Sequence, residues 1–103
     1  MAMTELTDDT IFGVIESEPV VLIDFYASWC GSCRVAGPMF ERVATEEGFK
    51  IFKIDVEKNP KIKEMLELPG LPSVGCFKNG EPVDLVNVTK EEAFREFVQK
   101  MKA

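Results

Sequence analysis

Val20-Val21-Leu22-Ile23-Asp24-Phe25-Tyr26-Ala27-Ser28-Trp29-Cys30-Gly31-Ser32-Cys33 joins a β-branched and aromatic run to two cysteines separated by two residues. Val20 to Tyr26 is nearly continuous in apolar side chains, the pattern of a central strand covered on both faces. Helical spacing follows at once: Val35, Met39, Phe40, Val43 and Ala44 share one face as far as Glu47, and Gly48 is a stop signal. Strand end and helix start therefore meet at Cys30. A cysteine placed there suits redox chemistry. A thiol attacks a disulfide only as thiolate, and the unpaired N–H groups and positive dipole end of a helix favour the anion. Three residues of separation across a first turn also bring two side chains within the Cα distance of about 4.4 to 6.8 Å that a disulfide requires. One sulfur can attack and the other can resolve. A structural disulfide and half of a zinc site are the competing readings. Three Cys and no His cannot complete a four-ligand zinc site within one chain, so no metal is expected. The lack of His also removes every Cys-His hydrolase mechanism.

Outward from this stretch, the chain reads as strands alternating with helices. Thr7 precedes Asp8, Asp9 and the apolar positions Ile11, Phe12, Val14 and Ile15, which predicts a first helix capped by Thr7, after a short strand over about Ala2 to Leu6. Pro38 falls inside the second helix and is expected to kink it. Lys50 to Val56 reads as a strand, and the intervening helix makes it parallel to Val20–Tyr26. Asn59-Pro60 has the form of an N-cap and first-turn proline, leading a helix with Ile62, Met65 and Leu66 on its apolar face. Ser73 to Lys78 and Glu81 to Val88 flank Asn79-Gly80, a strong hairpin signal, so these two strands are antiparallel. Thr89 with Glu92 reads as a capping box for a closing helix bearing Phe94, Phe97, Val98 and Met101. The sum is an α/β fold, a small mixed sheet covered by helices on both faces, with the cysteines at the carboxyl end of a central strand, where chemistry in open α/β sheets tends to sit.

The 103 residues suit one domain, 1–103, able to bury a core without staples. With 46% hydrophobic and 29% charged residues, the composition is that of an ordinary soluble globular chain. A net charge of -6 argues against nucleic acid or an anionic membrane as the main partner. Pro19 to Ile23, the longest apolar stretch, is too short to span a bilayer, and no basic region leads into an apolar signal core. A cytoplasmic location is expected, with Met1-Ala2-Met3 read as a short added leader before a start at Met3. In a reducing compartment a Cys-x-x-Cys beside strand-helix-strand is more often catalytic than structural. Cys76, in an apolar strand, reads as a buried small hydrophobe.

The chain resembles the thioredoxin family over nearly its whole length. The resemblance is carried by Leu6-Thr7-Asp8-Asp9, by Val21-Leu22-Ile23-Asp24-Phe25 before Trp29-Cys30-Gly31-Ser32-Cys33, and by Pro38. It continues in Asp55 with Asn59-Pro60, in Gly70-Leu71-Pro72, and in Phe77-Lys78-Asn79-Gly80-Glu81. It implies a thioredoxin fold, a central mixed sheet of five strands, or four if the N-terminal segment does not pair, flanked by four helices. It also implies a protein-disulfide reductase in which Cys30 is the exposed nucleophile and Cys33 the more buried resolving thiol. From the residues alone Asp24 either faces solvent or is a buried acid. The resemblance makes it the buried acid, with a raised pKa suited to proton exchange with Cys33, and sets Lys53 near it. Pro72 is implied to follow a cis peptide bond, and Leu71 to offer backbone groups to an extended target segment. Trp29, Gly31, Ser32, Gly70 and Leu71 would form a flat, largely uncharged contact patch around it.

No bound cofactor is implied, since the Cys30–Cys33 dithiol stores the electrons. A thioredoxin reductase and disulfide-containing target proteins are the implied partners, and a monomer is expected. Three positions depart from the family pattern. Ser32 replaces a usual proline, removing a preset helical φ and adding a hydroxyl. Asn87 stands about where a glycine is usual, and Tyr26 where a tryptophan is common. Competing functions are a thiol oxidase or disulfide isomerase of the same fold, a glutaredoxin-type deglutathionylase, which Trp29 and Leu71-Pro72-Ser73 disfavour, and a non-catalytic scaffold subunit.

Overall fold

The computed structural model describes residues 3–103. Its elements are β1 (Thr4–Leu6), α1 (Ile11–Ser17), β2 (Val20–Tyr26), α2 (Gly31–Glu46) and β3 (Ile51–Asp55), then α3 (Pro60–Met65), β4 (Ser73–Lys78), β5 (Glu81–Asn87) and α4 (Glu91–Met101). The five strands form one mixed sheet in the order β1-β3-β2-β4-β5. β3 runs parallel to both β1 and β2, whereas β4 is antiparallel to β2 and β5. The N-terminal strand therefore does pair, and the sheet has five strands rather than four. Met1 and Ala2, including the expected start of the first strand and the expected leader, lie outside the described residues.

β2 is the centre of the molecule because every successive side chain has somewhere apolar to go. Val21, Ile23 and Phe25 face a core completed by Leu6, Ile11, Ile15, Ile54 and Ile62, so α1 and α3 cover that side. Leu22 faces the opposite core with Phe40, Val43, Phe94, Phe97, Val98 and Met101, under α2 and α4. Phe40 and Phe94 stack tilted with centroids 4.6 Å apart, locking the two helices together. Burying each large apolar side chain of this kind stabilises the fold by about 1.5–3 kcal/mol. The period of two along β2 also fixes where Asp24 points: on the Leu22 side, beneath α2.

Between β4 and β5 the turn has the two consecutive positive φ angles that a tight hairpin demands, 52° at Asn79 and 83° at Gly80. Cys76 is fully buried in the α2/α4 core, as its apolar surroundings in sequence suggest.

Three expected side-chain caps are not made. Thr7 does not cap α1: that helix starts at Ile11 with Thr10 in the N-cap position and no side-chain cap bond. Thr7 instead closes a preceding turn, its carbonyl accepting from Thr10 N at 3.1 Å and Ile11 N at 2.9 Å. The Thr89–Glu92 capping box is also absent, because α4 begins at Glu91 with Lys90 as N-cap. Its first residue, Glu91, is held by Arg42 of α2 at 2.5 Å and by Arg95 of the same helix at 3.0 Å.

At α3, Asn59 and Pro60 occupy the expected positions, yet the Asn59 side chain makes no cap bond. Asp8 supplies the cap from a distant part of the chain, its carboxylate accepting from Lys61 N at 3.1 Å and Ile62 N at 3.0 Å. Asn59 reciprocates by accepting from Asp8 N at 2.8 Å and donating to the Asp55 carbonyl at 2.8 Å. This exchange ties the β1–α1 loop to α3 beside the active-site end of the sheet. Asp8→Ala removes two bonds to otherwise unpaired N–H groups and is expected to cost about 0.5–2 kcal/mol, the usual range for a lost cap, read as a lower urea midpoint.

Candidate active site

β2 ends at Tyr26, and four residues later the chain enters α2. Cys30 is the N-cap of α2, in extended conformation, and its Sγ accepts from Cys33 N at 3.2 Å. The sulfur thus occupies the place that a Ser or Asp oxygen takes in an ordinary cap. Cys30 and Cys33 are joined by a disulfide, with Cα atoms 5.3 Å apart. Ser32 Oγ lies 3.3 Å from Cys30 Sγ, within hydrogen-bonding reach. The exposed-nucleophile expectation is not met in this disulfide form: Cys30 is 6% exposed and Cys33 4%. The sulfur of Cys30 turns inward to its cap donor and its disulfide partner, and the two cysteines pack with Ala27 and Leu71.

Trp29 is the opposite case, 67% exposed immediately beside the disulfide. Its Nε1–H donates to Glu57 at 3.4 Å, and Lys63 holds the other oxygen of that carboxylate at 2.5 Å. These bonds, Lys63 first and Trp29 second, keep Glu57 below the ordinary carboxyl pKa. Trp29, Gly70, Leu71, Leu66 and Leu68 line an open groove of about 290 Å³, with Glu57 and Lys63 at its wall. The surface next to the disulfide is therefore grooved and carries an ion pair rather than being flat and uncharged. Gly31 and Ser32 sit apart from it, on the first turn of α2.

The Leu71–Pro72 peptide bond is cis. The segment around it is held from two sides: Ser73 Oγ donates to the Gly70 carbonyl, and Asn87 Nδ2 donates to the Pro72 carbonyl at 2.7 Å. Gly70 has φ +157°, and a Cβ there would stand 3.2 Å from Asn87 Oδ1. Glycine at position 70 and asparagine at position 87 are thus one packing solution. Asn87 reaches Pro72 because β4 and β5 pair Ser73 with Asn87, a register that no local motif encodes.

Asp24 is 2% exposed, which rules out the solvent-facing reading. Its Oδ1 has no hydrogen-bond partner among the described residues. Desolvation raises its pKa from 3.8 to about 7, Lys53 opposing the rise and Glu5 adding to it. Asp24 and Cys33 share the lining of one cavity of about 580 Å³ under α2, with Gly37, Pro38 and Lys53. Gly37 of α2 lies over the carboxyl: a Cβ there would stand 3.9 Å from Asp24 Oδ2, an ordinary van der Waals contact. Cys76 lies elsewhere in the core, its thiol pKa pushed up by burial. Among the described residues no group of side chains could hold a metal ion.

A disulfide at the N-cap of a helix, a buried acid beneath that helix and a cis-proline packed nearby form the setting of dithiol–disulfide exchange. The thioredoxin family model matches residues 2–101. The chain belongs to the thioredoxin family. A thioredoxin of Staphylococcus saprophyticus is 37% identical over 103 residues, covering 97% of this chain and 98% of its own length. The Malassezia sympodialis thioredoxin structure superposes with TM-score 0.85 at 29% identity, covering 100% of this chain and 96% of that one. A Plasmodium falciparum thioredoxin structure gives TM-score 0.88 at 24% identity, covering 95% and 98%, a likeness of fold. The activity is that of a thiol-disulfide oxidoreductase, reducing protein disulfides through the Cys30–Cys33 pair.

The Asp24 pKa sets a sign for stability against pH. The folded chain keeps the proton up to about pH 7 whereas an unfolded aspartate loses it near 3.8, so the folded state binds more protons between those values. Stability from this group is full at acid pH, falls as pH rises through that window and is level above it. A displacement of this size corresponds to a destabilisation on the order of 4 kcal/mol above the window. Asp24→Asn should therefore be more stable than wild type at alkaline pH, with the two converging below about pH 4. Urea unfolding of the oxidised proteins across pH measures the gap, and parallel curves would refute the buried-acid account.

Proposed function

We propose that Cys30 is the attacking sulfur, Cys33 the resolving sulfur and Asp24 the proton acceptor for Cys33. The observation that carries this is the position of Cys30 at the N-cap of α2, its sulfur accepting the Cys33 N–H. In the reduced protein the same N–H and the positive end of the 16-residue helix favour a Cys30 thiolate. That thiolate attacks one sulfur of a target disulfide, forming a Cys30–target bond and releasing the other target sulfur as a thiolate that takes a proton from water. Asp24, titrating near neutrality, accepts the proton of the Cys33 thiol. Cys33 then attacks Cys30 Sγ, the Cys30–target bond breaks, and the second target sulfur leaves as a thiolate that takes a proton from water, so the target departs as a dithiol while Asp24 returns its proton to solvent. The target has gained two electrons and the Cys30–Cys33 disulfide has formed.

Trp29, Gly31, Ser32, Gly70, Leu71 and Pro72 are the proposed contact residues. The groove between Trp29 and Leu71 suits an extended target segment carrying an apolar side chain beside its disulfide. Target proteins bearing disulfides are the substrates, and a thioredoxin reductase is the proposed donor that restores the dithiol. No resident cofactor takes part in this cycle. The proposed setting is a cytoplasmic, monomeric protein of one domain, 1–103; no helix among the described residues is long and apolar enough to cross a membrane. Cys33→Ser should trap targets as stable mixed disulfides at Cys30. Recovery of only nonspecific adducts, or of adducts that persist in Cys30→Ser, would overturn the assignment.

One observation favours a second reading, a less reducing protein that acts as thiol oxidase or disulfide isomerase. The Ser32 hydroxyl can donate to Cys30 Sγ, which stabilises the thiolate and so the reduced form. Ser32→Pro, which removes that donor, is expected to make the potential more negative by on the order of 30 mV, equivalent to about 1.4 kcal/mol for two electrons. Equilibration of both proteins with glutathione measures it. Equal potentials would remove the role given to Ser32, and a wild-type value near roughly -180 mV would support the isomerase reading.

A further inference from the structure

Across β1, β3 and β2, three charged residues stand in one row. Glu5 is the register partner of Lys53, and Lys53 is the register partner of Asp24. All three lie on the α2 side of the sheet, because their neighbours Leu6, Ile54, Ile23 and Phe25 face the α1/α3 core. Adjacent strands are about 4.8 Å apart, so one ammonium is flanked by two carboxylates at equal strand spacing. It is not shared equally. Lys53 Nζ lies 3.8 Å from Glu5 Oε1, whereas among the described residues no ion pair joins it to Asp24.

The partition has a physical cause at both ends. Glu5 is about half exposed and stays hydrated as an anion, while Asp24 is buried and favours its neutral form. Glu5 is also fixed in place. The Tyr26 hydroxyl is 2.8 Å from one of its oxygens and 2.6 Å from the other, and the Tyr26 ring lies under Lys53 with Nζ 5.6 Å from its centroid. Tyr26 thus seats both members of the pair. We infer that Glu5 is a positioning residue for the proton step: clamped by Tyr26, it draws Lys53 to the β1 side and keeps the ammonium from pairing with Asp24. This rests on the reading of Asp24 as the Cys33 proton acceptor.

The consequence concerns when that acceptor is poised. With Lys53 engaged by Glu5, Asp24 keeps its proton affinity near neutrality. Were Lys53 to swing across the row, Asp24 would become a permanently ionised, weakly basic carboxylate. Other charged and titratable groups facing Asp24 come from α2, where Cys33, Arg34 and Glu41 line the same cavity, and from β2, where Tyr26 does. Glu41 and Arg34 bring opposite charges from one helix face, so neither replaces the Glu5–Lys53 arrangement on the sheet.

Glu5→Gln removes the competing charge but keeps an oxygen for the Tyr26 hydroxyl and sits on an exposed edge strand, so the fold is retained. Carbon-13 NMR of the Asp24 carboxyl should show its titration midpoint lowered by about 0.5 to 1 pH unit. In a Lys53→Met background the same Glu5→Gln change should move the midpoint much less, because only the direct repulsion between Glu5 and Asp24 is then left to lose. An unmoved midpoint in Glu5→Gln, or an equal shift in both backgrounds, overturns the inference. The second readout is the pH profile for resolution of a Cys30 mixed disulfide, expected to move with the Asp24 midpoint. A moved midpoint with an unmoved profile would overturn the proton-acceptor reading of Asp24, and with it the place of Glu5 in that step.

Discussion

Where β2 stops determines nearly everything at the active end of this protein. The strand has hydrogen-bonded neighbours on both edges and an apolar layer on both faces, so neither its register nor its orientation can shift without exposing a core. α2 must begin a fixed number of residues later, because Phe40, Val43 and Ala44 have to land on Leu22 and the helix α4. The N-cap between these two constraints is Cys30. Its sulfur is positioned by the same packing that holds the core, which is the support a reactive group needs to act repeatedly in one geometry.

The same strand imposes a cost. A period of two that sends Leu22 into the α2/α4 core also sends Asp24 under α2, with one oxygen unpaired among the described residues. A carboxyl there is destabilising once ionised, and a residue chosen for stability alone would be apolar. That the position is an acid, with Lys53 beside it, is intelligible if the proposed proton transfer outweighs the needs of packing. Two cores with five large aromatic side chains between them, Phe25, Phe40, Phe77, Phe94 and Phe97, leave a margin for such a group.

Much of this was legible in the sequence because it depends on short-range patterns. The apolar run of β2, the helical spacing after Cys33, Asn79-Gly80 and the proline after Asn59 each act within a few residues. Their elements fall where the patterns put them, with ends displaced by a residue or two. The failures share a cause. Thr7 and the Thr89–Glu92 pair have capping chemistry, but a cap is made by whichever donor and acceptor the fold brings together. Asp8 reaches α3 across some fifty positions of chain, and Arg42 of α2 pairs with Glu91 at the first residue of α4. The Asn87–Pro72 bond and the Glu57–Lys63 pair at the groove wall were hidden in the same way. The low exposure of Cys30 follows from the direction of its sulfur, which spacing between cysteines does not specify.

The chain-specific residues act on separable parts of the reaction. Ser32 bonds the sulfur of Cys30, and a hydrogen bond there changes the relative stability of thiolate and disulfide, while the same exposed residue belongs to the proposed contact patch. Asn87 bonds the Pro72 carbonyl and packs on Gly70, with no bond to either sulfur, so it bears on how Leu71 is presented. Glu5 and Tyr26 act on neither, but on the ammonium beside the buried acid. On the proposed mechanism the residues particular to this chain act through different neighbours: Ser32 on α2 through Cys30, Asn87 on β5 through Pro72, and Glu5 and Tyr26 on β1 and β2 through Lys53. Because residues that share no partner contribute nearly independently, a change at Glu5 would shift the proposed proton step without disturbing how Leu71 is presented.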